Sequence, residues 1–339
     1  MAMIEITASR LVWEFRNVAA AVLLCCVAAP QVQAQSGPWS PQKPVEFIVP
    51  TAAGSSMDVL ARLIQDLWQR NQLVTTTMTV QARPGGGGAL AWSYVSQRAG
   101  DGHYLAISGP TLLANDDVLK IGNLKYQDVT PIAQLFTEYG AFAVNADSAI
   151  KTGKDLALAL AGPKPPSVAI APGIGSSSHV ALLRLARAAG IDPGTLTIVP
   201  FKGANESVTA VLGGHVDVVI ATMSVLDPHL AAGKLRAIAL AAPQRLGGQH
   251  ASIPTWKEQG LDVVEGNWRG VVGAKNLSPQ QVAFWSGRLA EVVKNDEWKA
   301  SLVRNSWDPD FRIGADARSF LDTQYQELSS ALAVLRTDK

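Results

Sequence analysis

Cysteine is almost absent from this sequence. Its two cysteines, Cys25 and Cys26, are adjacent and close to the amino end. Everything after them lacks disulfides, a catalytic thiol and cysteine metal ligands, so roughly 300 residues must be held by packing alone. Histidine is also sparse: His103, His179, His215, His229 and His250 are scattered without His-Glu-x-x-His or any other metal-ligand spacing. No metal and no cofactor are expected. No Gly-x-Ser-x-Gly elbow occurs. Ser178 beside His179 is not a catalytic pair, because adjacent helical residues point in different directions; a hydrolase would have to bring its groups together through space. Neither sign of charge dominates, with 29 Lys and Arg against 28 Asp and Glu. A nucleic-acid partner needs a basic stripe, and none is present.

Long apolar runs are missing too. The run from Val18 to Ala29 falls short of the ~20 residues of a spanning helix. Arg10 and Arg16 precede it, and Val32-Gln33-Ala34 follows with small residues where a signal peptidase reads. Residues 1–34 therefore read as an export signal cleaved before Gln35, with a membrane anchor as the rival reading. Leu23 and Leu24 ahead of the cysteines do not make a lipoprotein site. The segment carries Arg10, Arg16, Glu5 and Glu14, so its removal leaves the charge balance unchanged. The remaining chain is expected in the periplasm, as a monomer without a thiol.

What is present is alternation. Short β-rich runs separated by longer amphipathic stretches indicate an α/β fold. Strands are expected at Val45–Val49, Thr77–Ala82, Tyr104–Ser108, Ile132–Phe136, Ala141–Val144, Val168–Ala171, Thr197–Pro200, Val216–Ala221, Leu235–Ala241 and Gly270–Gly273. Val59, Leu60, Leu63, Ile64, Leu67 and Trp68 recur at helical spacing, and so do Val180, Leu182, Leu183, Leu185 and Ala186 before Gly190. Val282–Val293 and Ala317–Leu335 predict two further helices. Two lobes are the commoner solution at this strand count. Breaks at Asn145–Thr152 and Gly260–Trp268 would make residues 35–144 and 265–339 one discontinuous lobe and 145–264 the other. The cleft between them is the natural ligand site.

Two strand-to-helix loops share one composition. In Pro50-Thr51-Ala52-Ala53-Gly54-Ser55-Ser56-Met57-Asp58, the helix start offers free N–H groups and Ser55 and Ser56 offer hydroxyls. Pro172-Gly173-Ile174-Gly175-Ser176-Ser177-Ser178-His179 repeats the device. One reading is a clamp on an acidic ligand, one loop per lobe; the other is two independent helix caps. His179 alone reads as a surface or core residue. The glycine run Arg83-Pro84-Gly85-Gly86-Gly87-Gly88-Ala89 is no phosphate loop, since no Lys-Ser or Lys-Thr follows.

The ordered motifs resemble one family. Lys43-Pro44-Val45-Glu46-Phe47-Ile48-Val49-Pro50 leads into the first loop, followed by Arg83-Pro84-Gly85, Asp101-Gly102-His103-Tyr104 and the second loop. Val199-Pro200-Phe201-Lys202-Gly203, Leu212-Gly213-Gly214-His215-Val216-Asp217, Gly233-Lys234-Leu235-Arg236-Ala237, Ile253-Pro254-Thr255 and Trp268 before Gly270 complete the series. Together they resemble the Bug-type substrate-binding proteins of tripartite tricarboxylate transporters. The resemblance implies a type II periplasmic binding protein fold, two α/β lobes joined by crossing hinge segments around a cleft. It implies a small carboxylate ligand (di-, tri- or aromatic), delivery to transporter membrane subunits, and no covalent chemistry; a receptor feeding a sensor kinase would have the same pocket.

Carried over by position, the resemblance points to Thr51, Ala53, Gly54, Ser55 and Ser56 on one side and Gly175, Ser176, Ser177 and Ser178 on the other, with Thr111 and Thr222 completing the pocket. Asp217 reads as fixing a turn, with a cleft acceptor as the alternative. The first loop lacks the aromatic of many relatives, and Ala89-Leu90-Ala91-Trp92 replaces a more polar stretch. Either the pocket is less polar than average, or Trp92 packs behind the loop.

Overall fold

The alternation is realised in full, apart from one strand hidden by its composition. The computed structural model describes residues 38–117 and 124–332. The expected signal, residues 1–34, and positions 333–335 of the last expected helix lie outside them. In chain order, β1 (Val45–Val49), α1 (Ser56–Arg70), β2 (Met78–Ala82), α2 (Ala89–Ser96), β3 (Tyr104–Ser108) and α3 (Thr111–Asp117) come first. Next are β4 (Thr130–Asn145), α4 (Gly153–Leu160), β5 (Ser167–Ile170), α5 (Ser177–Ala188), β6 (Thr197–Pro200), α6 (Ala204–Leu212), β7 (Val218–Thr222), α7 (Met223–Ala231) and β8 (Leu235–Leu240). β9 (Gly266–Gly273), α8 (Pro279–Lys294), α9 (Asp296–Asn305), β10 (Trp307–Ile313) and α10 (Gly314–Leu332) complete the chain.

β4 unites what the sequence pattern divides into two strands. Thr137-Glu138-Tyr139-Gly140 looks like an interruption of an apolar run, yet the strand continues for 16 residues. Thr130–Tyr139 pairs antiparallel with β9, and Gly140–Val144 pairs antiparallel with β7. β10 also lies on the first stretch and β8 on the second. The first lobe adds the parallel strands β2-β1-β3 outside β9, and the second adds β5 and β6 outside β7. β9 begins at Gly266, earlier than its apolar pattern suggests, so that Asn267, Trp268 and Arg269 pair with Glu138, Thr137 and Phe136. β10 escapes the pattern altogether, because Asp308, Pro309, Asp310 and Arg312 suit an edge strand with a bulge.

The register sets where a ligand can sit. Ser108, at the carboxyl end of β3, lies opposite Gly270, which in turn lies opposite Gln134 of β4. Thr222, at the carboxyl end of β7, lies opposite Gly140. The carboxyl ends of both parallel sets therefore converge on the middle of β4 from opposite directions. That is the crevice position of open α/β sheets.

Packing replaces the missing disulfides. Around the first lobe's sheet, Trp68, Trp92, Trp268, Trp285, Trp298 and Trp307 are buried with Phe47, Leu60, Ile64 and Phe136. Val180 and Leu183 of α5 join this core from the second lobe. The second lobe buries Phe142, Leu156, Leu182, Leu185, Ile220 and Trp256 on one face of its sheet and Val208, Val219, Leu226 and Leu240 on the other. A buried side chain of this size contributes about 1.5–3 kcal/mol.

Trp92 packs behind the glycine run. It is fully buried, and its indole N–H donates to the Ile107 carbonyl at 2.9 Å. Gly88 has φ +100°, and a Cβ there would stand 2.6 Å from the Trp92 ring. Both facts require glycine. Gly88→Ala should lower the unfolding free energy by about 1–3 kcal/mol, read as a reduced urea midpoint with an unchanged m-value.

Candidate functional site

The two Gly-Ser loops are built to one plan. Gly54 and Gly175 take left-handed φ values of +78° and +80°. Each is followed by an N-cap serine in extended conformation, Ser55 for α1 and Ser176 for α5. The Ser55 hydroxyl accepts from the Asp58 N–H at 3.3 Å, and the Ser176 hydroxyl from the His179 N–H at 3.4 Å. The residue that ends each motif then reaches back. The Asp58 carboxylate accepts the Gly54 N–H at 2.9 Å, and His179 Nδ1 accepts the Gly175 N–H at 3.0 Å. His179 is thus the counterpart of Asp58.

Several expected site side chains hold the loops in shape. Thr51 Oγ1 lies 2.6 Å from Ser55 Oγ. Ser178 Oγ accepts from the Ala171 N–H at 3.0 Å and donates to the Ala171 carbonyl at 2.9 Å, while Ser176 Oγ donates to the Gly173 carbonyl at 2.7 Å. The Ser178 hydroxyl does not meet the His179 ring. Ala53 and Gly54 are exposed, Thr51, Ser55, Ser56 and Ser177 partly exposed, and Gly175, Ser176 and Ser178 buried. Thr111 opens α3, and Thr222 caps α7 with its hydroxyl 3.2 Å from Ser224 Oγ. Asp217 lies at the other end of β7, where it accepts from the Ser167 N–H and hydroxyl at 2.8 and 2.7 Å and so ties the start of β5 to that of β7.

With the caps satisfied, the N–H groups of Ser56 and Met57 in α1, and of Ser177 and Ser178 in α5, have no acceptor among the described residues. Free first-turn amides backed by the helix dipole bind carboxylates without a lysine or arginine. Each of these helix starts follows the carboxyl end of a parallel strand, α1 after β1 and α5 after β5.

Charge is concentrated where the lobes meet. Arg269 Nη2 donates to Glu138 Oε1 at 2.6 Å, both side chains being buried. Arg184 of α5 pairs with Glu265 at 2.8 Å and lies 3.9 Å from Glu327 of α10. Burial pushes the Glu265 carboxyl up to about 7 against the pull of Arg184. Pattern reading passes over Glu138 and Arg269, although a charge inside a near-continuous apolar strand was the available signal.

This architecture defines a class: a two-lobed solute-binding protein of the periplasmic type. The family follows from the sequence comparison. The model of the tripartite tricarboxylate transporter family receptors, TctC, matches residues 60–327, and the chain belongs to that family. Protein BugT of Bordetella pertussis is 24% identical over 84% of this chain and 87% of its own length. A TctC solute-binding protein from Polaromonas superposes with a TM-score of 0.68 at 25% identity, over 88% of this chain and 99% of that one. MatC from Rhodopseudomonas palustris, with bound malate, gives 0.72 at 24% identity, over 87% and 99%. The family and these neighbours are binding proteins.

Loop chemistry makes stability depend on pH in two opposing ways. Burial pushes the His179 imidazole down to about 4 from 6.5, so the folded protein keeps it neutral while the unfolded chain protonates it below 6.5. Its contribution is present above pH 6.5 and is lost as pH falls towards 4, by up to about 3 kcal/mol. Glu265 runs the other way: its contribution is full below the ordinary 4.5 and is lost as pH rises through about 7. The single variants separate them. In urea titrations across pH 4–7, His179→Asn should raise relative stability at the acid end, and Glu265→Gln at the neutral end.

Proposed function

We propose that this protein captures a small carboxylate in its interlobe cleft and delivers it to the membrane subunits of a tripartite tricarboxylate-type transporter. The residues assigned to the ligand are Thr51, Ala53, Gly54, Ser55 and Ser56 from one loop, Gly175, Ser176, Ser177 and Ser178 from the other, and Thr111 and Thr222. Among them the backbone N–H groups at the starts of α1 and α5 make the principal contacts, since most of the hydroxyls are engaged in shaping the loops. The single observation that carries this reading is the repeated Gly-Ser helix start, one per lobe. Malate in the related MatC structure supports an acidic ligand.

In this reading the lobes are residues 35–144 with 265–339, and 145–264. Closure stores the signal, because a ligand touching both helix starts stabilises the closed state over the open one. Residues 1–34 act as the export signal, and the mature chain works in the periplasm as a monomer.

The test is a thermal-shift screen of residues 35–339 against mono-, di-, tri- and aromatic carboxylates, with sugars and amines as contrast. A ligand present at 100 times its Kd adds about 2.7 kcal/mol and raises Tm visibly. A shift by carboxylates is the expected result. A shift by sugars or amines alone overturns the anion clamp.

A further inference from the structure

Helix α5 divides its apolar residues between two cores. Ala181, Leu182, Leu185 and Ala186 pack in the second lobe, whereas Val180 and Leu183, on another side of the helix, reach the core of the first. One helix therefore bridges the lobes, and its start carries the free amides of the second Gly-Ser loop. The bridge is narrow, since Val180 and Leu183 are its only described residues in the first-lobe core. Arg184 stands one turn beyond Val180, on the side that meets α10.

A carboxyl is enclosed at that bridge. Arg184 Nε donates to Glu265 Oε2 at 2.8 Å, and Arg184 Nη2 lies 3.9 Å from the Glu327 carboxylate of α10. Glu265 stands immediately before β9, and its N–H donates to the Ala241 carbonyl just past β8 at 3.0 Å. Val180 of α5, Trp268 of β9 and Leu328 of α10 close around it, leaving a space of about 10 Å³. That is room for about one water, so the seam is packed and is no ligand pocket. The charged groups facing Glu265 are Arg184 from α5, which draws the proton off, and Glu327 from α10, which holds it on. Both are more exposed than the Glu265 side chain, which is only 10% exposed. Parting α5 from α10 would therefore open this carboxyl to water. Seated, burial holds it at about 7; in water it returns to 4.5. The seated state binds the proton more tightly, so it is favoured below pH 7 and weakened as pH rises through that value.

We propose that Glu265 is a positioning residue of the ligand site, a latch whose neutral form seats α5 on the first lobe and whose ionisation loosens it. The seated form fixes where the start of α5 stands relative to that of α1, so it is the form that holds a ligand through both. This last step rests on the carboxylate-receptor reading; the latch itself does not. With 4.5 for the open carboxyl and about 7 for the enclosed one, the ratio of seated to loosened protein falls about tenfold between pH 6 and pH 8.

The experiment measures distances between spin labels in residues 35–339. The sequence after Cys26 has no cysteine, so labels on Ala188→Cys of α5 and Val303→Cys of α9, both exposed positions, report alone. With Glu265 intact, the distance distribution is expected to change between pH 6 and pH 8. Glu265→Gln, neutral throughout, should keep the acid-side distribution at both. Glu327→Gln removes a surface charge that favours the proton, and should move the change to lower pH. A distribution that is the same at pH 6 and pH 8 with Glu265 intact overturns the proposal, and so does a pH response that survives Glu265→Gln. Malate, titrated calorimetrically into the unlabelled protein at both pH values, should bind the wild type about tenfold more weakly at pH 8. Glu265→Gln should bind it equally at both. Failure of malate to bind counts against the receptor reading alone, because the distances decide the latch.

Discussion

The long strand β4 carries the main backbone ladder at the junction of the lobes, and the rest of the molecule is arranged around it. A strand buried on both faces cannot leave N–H and C=O groups unpaired. β4 meets the constraint by taking β9 and β10 along its first stretch and β7 and β8 along its second. Once those registers are set, the direction of every parallel strand follows, and with it the position of each carboxyl-end loop. Gly140 stands at the changeover, where a Cβ would lie 3.3 Å from the Ala221 carbonyl oxygen. The lobes therefore share a backbone and not merely a linker.

The loops themselves show how a helix start can be left with free donors almost without charge. Serine at the N-cap, glycine before it and an acceptor four residues beyond that glycine fix the backbone, and the remaining first-turn amides are left as donors. Acceptor chemistry differs between the two. Asp58 carries a negative charge that Arg62 balances at 2.9 Å, whereas His179 serves as a neutral ring kept so by burial. A neutral acceptor costs less to bury than a carboxylate; both acceptors are buried here, Asp58 with Arg62 as its partner and His179 beside the buried Ser176 and Ser178.

Charged groups appear instead at the seam. Glu138 with Arg269 lies on the crossing strands, and Arg184 with Glu265 joins α5 to the start of the return strand. Pairs of this kind give little net stability once desolvation is counted. Each instead ties together separate elements where the lobes meet.

The sequence by itself determined the α/β class, seven of the ten strands nearly as they stand, and both Gly-Ser loops, because those features are written locally in period, apolarity and turn chemistry. It divided β4 at Glu138 and shortened β9 before Arg269, since each of those charges alone argues against a buried strand, and only their meeting 131 positions apart removes the objection. It missed β10, whose Asp308, Pro309 and Asp310 look like a loop until an edge position makes them tolerable. It could not say that Ser178 would be spent on Ala171, that Trp92 would lie under Gly88, or that His179 would stand in for Asp58. Hydrogen-bond partners and buried charge pairs are decided by proximity across the fold, and proximity of that kind exists only after the chain has closed on itself.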